Sequence, residues 1–181
     1  MTYRIAEPLL TFYEAIQRPD WAEWERARDP KRLWQRRSHR FDSNVMGPHF
    51  EQICRTWITD YSPPELFGGY VTRAGSGTVN DPARKTSHEV DIAIFGELPE
   101  GHEALLAIGA AKWNDVMGQG HLDRLAHIRQ LLSGKFDTTH TRIACFSGAG
   151  FMPGVIERAN ADDVMLVGLD DLYGRARLPS G

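Results

Sequence analysis

The chain has 181 residues, enough for one domain with a full hydrophobic core and an appended element, but too few for two full-sized domains. Hydrophobic residues make up 41% of it and charged residues 25%, which excludes disordered and fibrous proteins. No apolar run is long enough to cross a membrane and the N-terminus lacks a secretory pattern, so a cytoplasmic protein is expected. The net charge of −3 does not by itself predict binding to nucleic acid.

Residues 1–41 are predicted to form a helical extension. Apolar residues recur at helical spacing over residues 3–17, and Pro19 ends that helix. A stretch rich in arginine follows at residues 26–40. We expect it either to contact the phosphates of a nucleic acid or to be an ordinary solvated helix face. The candidate nucleic-acid-binding residues are Arg32, Arg36, Arg37 and Arg40.

Residues 42–176 are predicted to form one α/β domain, with residues 177–181 as a tail. The first core helix is expected over residues 44–60, with Asp42 or Ser43 as its cap. The elements that follow are a strand over 69–74, a mobile loop over 75–84, strands over 89–95 and 104–113, a helix ending at Gly134, a strand over 142–146, a helix over 153–159 and a strand over 164–167. This order predicts a mixed β-sheet covered by helices on both faces.

The residues most suited to chemistry are Asp91 and Lys112, on two strands that a predicted hairpin joins. Aspartate is depleted in strands and is costly inside a sheet unless it is paired. In phosphodiester hydrolysis a carboxylate holds Mg²⁺, and a lysine orients water or offsets developing charge. Glu51 on the preceding helix and Glu89, expected on the same strand face as Asp91, are further candidate ligands. A second carboxylate is expected at position 110, which is occupied by alanine.

Five segments of the chain resemble the C-terminal domain, known as DUF234, of a family of prokaryotic ATPases. They are Tyr3-Arg4-Ile5-Ala6-Glu7-Pro8, Phe50-Glu51-Gln52-Ile53-Cys54, Glu89-Val90-Asp91-Ile92, Gly109-Ala110-Ala111-Lys112-Trp113 and Phe146-Ser147-Gly148-Ala149-Gly150-Phe151. The resemblance implies the restriction-endonuclease-like PD-(D/E)XK fold with an αβββαβ core, and catalytic residues at Glu51, Asp91 and Lys112. It also implies that an ATPase and a winged-helix segment precede this region, with Tyr3 to Pro8 at the junction.

The chain departs from the family pattern at Ala110, where relatives carry the glutamate of Glu-x-Lys. Loss of a metal-binding carboxylate weakens the site, so Mg²⁺ is expected to bind weakly or not at all. The first hypothesis is therefore a catalytically impaired, nuclease-like module that acts in nucleic-acid binding or regulation. Its expected partners are DNA and the ATPase domain of the same or a companion chain.

Two alternatives remain open at this stage. The first is an active Mg²⁺-dependent DNA nuclease in which Glu89 supplies the missing carboxylate to Asp91 and Glu51. The second is a structural interaction domain whose aromatic residues Trp21, Trp24 and Trp34 dock an ATPase or a second copy of the chain.

Other binding motifs are incomplete. Gly134-Lys135 is followed by Phe136 rather than serine or threonine, so no ATP site is predicted in this chain. The seven histidines show no zinc-ligand spacing in the sequence. Cys54 and Cys145 lie in apolar periodic segments and are predicted to be buried and reduced.

Overall fold

The chain divides into two compact units, Met1–Phe50 and Glu51–Gly181. A computed structural model describes residues 7–63, 66–161 and 164–174. The division falls nine residues after the boundary expected between residues 41 and 42, inside the helix Gly47–Asp60. Most of the segment Tyr3 to Pro8 and the whole predicted tail lie outside the described residues.

The first unit is built from helices. They are α1 (Pro8–Phe12), α2 (Trp21–Glu25), α3 (Pro30–Phe41) and the start of α4 (Gly47–Asp60). Between α1 and α2 the chain stays helical through a π-type turn at Tyr13–Gln17 and a tight turn at Arg18–Asp20. Pro8 and Pro30 stand at helix starts, where the absent N–H would have no partner in any case.

The predicted cap of the first core helix is wrong. The backbone continues from α3 into α4 through a π-type turn at Asp42–Met46, and Asp42 itself has helical angles. The Ser43 hydroxyl donates to the carbonyl of His39, one helical turn earlier, at 2.9 Å. Serine makes this bond inside a helix rather than at its first residue.

The second unit contains a five-stranded sheet. Its strands are β1 (Tyr70–Asp81), β2 (Thr86–Glu97), β3 (Glu103–Lys112), β4 (Arg142–Ser147) and β5 (Val164–Val167), in the spatial order β1-β2-β3-β4-β5. The first three strands are antiparallel, and β3, β4 and β5 are parallel. The helices that follow β3 are α5 (Gln119–Leu132), α6 (Pro153–Ala161) and the short α7 (Leu169–Leu172). The predicted α/β class with a mixed, helix-flanked sheet is confirmed.

The predicted loop over residues 75–84 is wrong, because most of it belongs to β1. Gly75 and Gly77 pair with Ala93 and Val90 of β2 instead of forming a turn. The reversal occurs later, between Asp81 and Thr86. There Lys85 takes a positive φ of 51°, a left-handed conformation that is uncommon outside glycine.

Helices α5 and α4 cover opposite faces of the sheet. On the α5 face, Ile128 packs in one buried cluster with Val90 and Ile108 from the strands. On the other face, Trp57 of α4 meets the ring of Phe146 in β4 with centroids 6.3 Å apart. No helix in the described ranges combines the length and apolar character needed to span a bilayer.

Both cysteines are free and buried in the second unit. Burial in apolar surroundings raises the pKa of the Cys54 thiol and of the Cys145 thiol to about 12. Each thiol therefore stays protonated at neutral pH and acts as a small apolar side chain.

Strands β3 and β4 approach each other closely at Gly109. A methyl group on Gly109 would collide with the backbone carbonyl oxygen of Ala144 in β4, whereas none of the described atoms lies within 4 Å of a methyl on Gly77. We predict that Gly109→Ala lowers the free energy of unfolding by about 2 kcal/mol, because the strands must separate. Gly77→Ala, the matched control, is expected to change it by less than about 1 kcal/mol. Urea denaturation measures both, and equal effects would contradict this view of the packing.

Candidate functional site

The Asp91 carboxylate lies where β2 and β3 separate. Regular pairing between the two strands ends at Ile92 and Gly109, while β3 continues beside β4 as far as Lys112. Beyond that point the backbone N–H of Ala111 donates to Oδ2 of Asp91 at 3.0 Å. The aspartate side chain thus satisfies a strand N–H that would otherwise lack a partner on this side.

Lys112 contacts the same oxygen. Its Nζ lies 3.2 Å from Oδ2 of Asp91, and 31% of the lysine side chain remains exposed. The structure therefore places these two predicted site residues in direct contact. Asp91 Oδ2 thus accepts from one charged and one neutral donor.

Arg55 of α4 contacts both Glu51 and the backbone of Asp91. Its Nη1 donates to the backbone carbonyl of Asp91 at 3.1 Å and lies 3.5 Å from Oε2 of Glu51. The pairing of Glu51 with Arg55 follows from their four-residue spacing on a helix. The Glu51 carboxylate therefore has a guanidinium group as an immediate neighbour.

Glu89 has a different environment. Its backbone carbonyl accepts from Arg124 Nη2 at 2.8 Å, and its side chain is exposed. Gly77 pairs with Val90 and Gly75 with Ala93, so Ser76 lies opposite both intervening residues of β2. Strand β2 therefore has one residue more than β1 at this point, which is a β-bulge. The bulge interrupts the alternation from which Glu89 and Asp91 were expected to share a face.

The three predicted metal ligands are not gathered into one site. Within the described ranges, Glu51, Glu89 and Asp91 do not bring three carboxylate oxygens within 4.8 Å of one another. Ala110 is 6% exposed and packs in an apolar cluster with Leu122 of α5. Position 110 is thus part of the core and supplies no carboxylate to this group.

Comparison of the chain with protein-family models, with curated proteins and with solved structures gave no match. The site is therefore interpreted from its own geometry.

The four predicted nucleic-acid-binding arginines lie on α3 and differ in their contacts. Arg36 and Arg37 both pair with Glu23, and Arg37 also lies 2.7 Å from Asp20. Arg40 pairs with the same Asp20 at 3.3 Å. Three of these side chains therefore stabilise the helical unit internally. The Arg32 backbone N–H donates to Asp29 Oδ1 at 3.0 Å, but its guanidinium group has no carboxylate oxygen of the described chain within 4 Å.

The tryptophans expected to form a docking surface serve largely as internal packing. Trp24 Nε1 donates to the carbonyl of Ile16 at 3.2 Å. The Trp34 ring packs against the rings of Phe12 and Phe41, with centroids 6.3 and 5.2 Å away. Trp21 keeps about half of its surface exposed.

A second cluster was missed by the sequence reasoning. Asp81 at the end of β1 is buried and lies beside His88 of β2 and His127 of α5. The hydrogen bond with His127 lowers the pKa of the Asp81 carboxyl below its usual range. No spacing rule could have found this cluster, because His127 comes from a helix far along the chain. Arg55, in contrast, could have been found from its helical spacing to Glu51.

The interaction between Asp91 and Ala111 can be separated from the ion pair by substitution. We predict that Asp91→Ala lowers the free energy of unfolding by about 2 kcal/mol, because the buried Ala111 N–H loses its acceptor. Asp91→Asn keeps an acceptor oxygen, and Lys112→Met removes only the half-exposed charge. Each is expected to cost less than about 1 kcal/mol. Urea denaturation of the three variants is the measurement, and a loss for Lys112→Met equal to that for Asp91→Ala would contradict this assignment.

Proposed function

We propose that this chain is a nuclease-like module that binds nucleic acid without cleaving it, related to the C-terminal domain of prokaryotic ATPases. The observation that supports it most directly is the Asp91 carboxylate, which accepts from Lys112 Nζ and from the Ala111 N–H. In a metal-dependent nuclease this oxygen would be available to the cation.

The charges around Asp91 support the same conclusion. Two acids, Glu51 and Asp91, are matched by two bases, Arg55 and Lys112, at distances of 3.5 and 3.2 Å. A cation-binding centre needs an excess of negative oxygen ligands, whereas this group is neutral as a whole. A divalent cation would have to displace the lysine and would meet the nearby guanidinium.

The order of elements supports the family relationship. Helix α4, the antiparallel strands β1, β2 and β3, helix α5 and strand β4 follow one another as α, βββ, α and β. The resemblance implies this same αβββαβ order for the restriction-endonuclease-like core. Mixed sheets of this general type serve unrelated functions, so the proposal depends on the site and not on the order alone.

The surface that we assign to nucleic acid lies in the helical unit. Residues 20–40 contain seven basic and four acidic residues. Arg26, Arg28 and Arg32 line an open groove of about 630 Å³ together with Glu23 and Asp29. Within the described ranges, the guanidinium nitrogens of these three arginines have no carboxylate oxygen within 4 Å, unlike those of the paired Arg37. Guanidinium groups that lack an acidic partner can form bidentate bonds with phosphates.

The absence of cleavage can be tested with the purified chain and Asp91→Ala. We predict that neither protein cuts labelled single- or double-stranded DNA in Mg²⁺ or Mn²⁺ above the background of a mock preparation, because no cation is held at Asp91. An active nuclease serves as positive control. Cleavage by the native chain that Asp91→Ala abolishes would favour the alternative of an active nuclease and overturn the proposal.

Binding can be tested by fluorescence anisotropy with a labelled DNA duplex. Three phosphate contacts predict a slope of about −3 when the logarithm of the affinity is plotted against that of the salt concentration. Replacing Arg26, Arg28 and Arg32 together by glutamate is expected to weaken binding at least tenfold, roughly the effect of losing these contacts. Lys135→Glu, an exposed charge reversal in the other unit, is the matched control.

Two results would contradict the binding proposal. One is the absence of DNA binding at low salt, and the other is equal binding by the triple variant and the native chain. Self-association in light scattering together with the first result would favour the interaction-domain alternative.

A further inference from the structure

The cluster of Asp81, His88 and His127 lies in the second unit, apart from the group around Asp91. Asp81 ends β1, His88 is the third residue of β2, and His127 lies in the middle of α5. The β1–β2 turn brings the first two residues together, and the packing of α5 against β1 brings the third. All three side chains therefore converge from separate elements.

The three side chains direct their ligand atoms at one point. Nε2 of His127 lies 2.7 Å from Oδ2 of Asp81, and Nε2 of His88 lies 3.5 Å from the same oxygen. One ligand atom from each residue lies within 4.8 Å of the others. The two imidazole rings are nearly perpendicular, at 87°, with centroids 5.5 Å apart, so that they do not stack.

Burial makes this cluster unusual. The Asp81 side chain is only 1% exposed, and a carboxylate is taken out of water at high cost unless something compensates its charge. Nε2 of His88 is also buried, and it has no hydrogen-bond partner within the described part of the chain. Buried polar atoms of this kind are rare in folded proteins, and an ion that binds there is one explanation.

We propose that Asp81, His88 and His127 form a binding site for a divalent first-row transition metal ion, with Zn²⁺ as the best match. Two imidazole nitrogens and one carboxylate oxygen are a ligand set that suits zinc and its neighbours, whereas Mg²⁺ and Ca²⁺ prefer oxygen ligands alone. An ion at this point would give the buried carboxylate its counter-charge. It would also give the unpartnered nitrogen of His88 a ligand bond.

The distances require only a small adjustment. Ligand atoms in a tetrahedral zinc site lie about 3.3 Å apart, given bonds of about 2.0–2.1 Å. The separation of 3.5 Å between His88 and Asp81 is close to that value, and the 2.7 Å separation of His127 must open by well under 1 Å. The ligand nitrogens of the two histidines lie within 4.8 Å of each other.

The surroundings orient the carboxylate. The backbone N–H of Arg84 donates to Oδ1 of Asp81 at 3.1 Å, which leaves Oδ2 directed at the two histidines. Such outer contacts hold a metal ligand in place. The exposed Arg84 side chain approaches Oδ2 only at 3.9 Å and can turn to solvent.

Three protein ligands leave a fourth position for water or another small ligand. His88 and His127 are both partly exposed, so the cluster lies close to the protein surface. The bound ion would tie the end of the β1–β2 hairpin to α5 and stabilise the second unit by linkage, since the ligands are brought together only in the folded chain.

The experiment uses the full chain with any affinity tag removed, stripped with a chelator and then dialysed. Zn²⁺ is added, unbound ion is removed by gel filtration, and the metal content is measured by mass spectrometry. We expect about one ion per chain, a rise in Tm of about 5–10 °C with excess Zn²⁺, and no rise with Mg²⁺. Co²⁺ in the same site is expected to give visible absorption bands typical of low coordination.

Variants assign the site. His88→Ala and His127→Ala are each expected to lower the retained zinc at least tenfold, while His39→Ala, an exposed histidine of α3, retains it. Circular dichroism shows whether each variant is folded. If His88→Ala does not fold, His88→Gln is used in its place. Failure of the native chain to retain Zn²⁺ or Co²⁺ overturns the proposal, as does unchanged retention in folded His88 and His127 variants. Neither result depends on whether the chain binds DNA.

Discussion

The bond between the Asp91 carboxylate and the Ala111 N–H joins β2 and β3 at the point where their backbones cease to pair. From Glu103 to Gly109, β3 pairs with β2. After Gly109, β3 continues beside β4, and Lys112 contacts the same carboxylate. The aspartate therefore has a structural task, since it completes the hydrogen bonding of a buried strand N–H, and an electrostatic one, since it neutralises a lysine. A cation at this oxygen would compete with both contacts.

The chain compensates its buried and half-buried acids in two ways. At Asp91 the counter-charge comes from the protein itself, through Lys112 and the neighbouring pair of Glu51 and Arg55. At Asp81 the carboxylate faces two imidazole groups, whose nitrogens can bind either a proton or a metal. In the first arrangement a cation would compete with a lysine, while the second is suited to holding a metal ion. This contrast is the physical basis for placing the metal proposal at Asp81 and for proposing that the group around Asp91 does not cleave nucleic acid.

Strongly patterned elements could be predicted from the sequence. The apolar runs of β3, β4 and β5 are typical of strands inside a sheet. Their limits differ from the prediction by at most a residue or two. The α/β class followed from that order. The second half of β1 could not be predicted, because glycines such as Gly75 and Gly77 signal turns locally and only pairing with β2 overrides this. The continuous path from α3 into α4 was hidden by Asp42 and Ser43, which are typical cap residues.

The candidate site shows the same division. The contact between Asp91 and Lys112 follows from a hairpin, so adjacent strands were sufficient to anticipate it. The contact of Arg55 with the backbone of Asp91 depends on how α4 packs against the sheet. The bulge near Glu89 depends on the register of β1 and β2. Neither can be read from single residues. The pairing of Arg36, Arg37 and Arg40 with Asp20 and Glu23 likewise needs two helices in contact, and it reduces the basic surface to fewer residues than the sequence suggests.

A crystal structure of the chain soaked in Mn²⁺, with anomalous scattering used to locate the ion, tests the central claim most directly. We expect no manganese at Asp91, with Lys112 Nζ and the Ala111 N–H still bonded to its carboxylate. Manganese within about 2.3 Å of an Asp91 oxygen, with the lysine turned away, would contradict it, since that distance is typical of an ion bound directly to carboxylate oxygen.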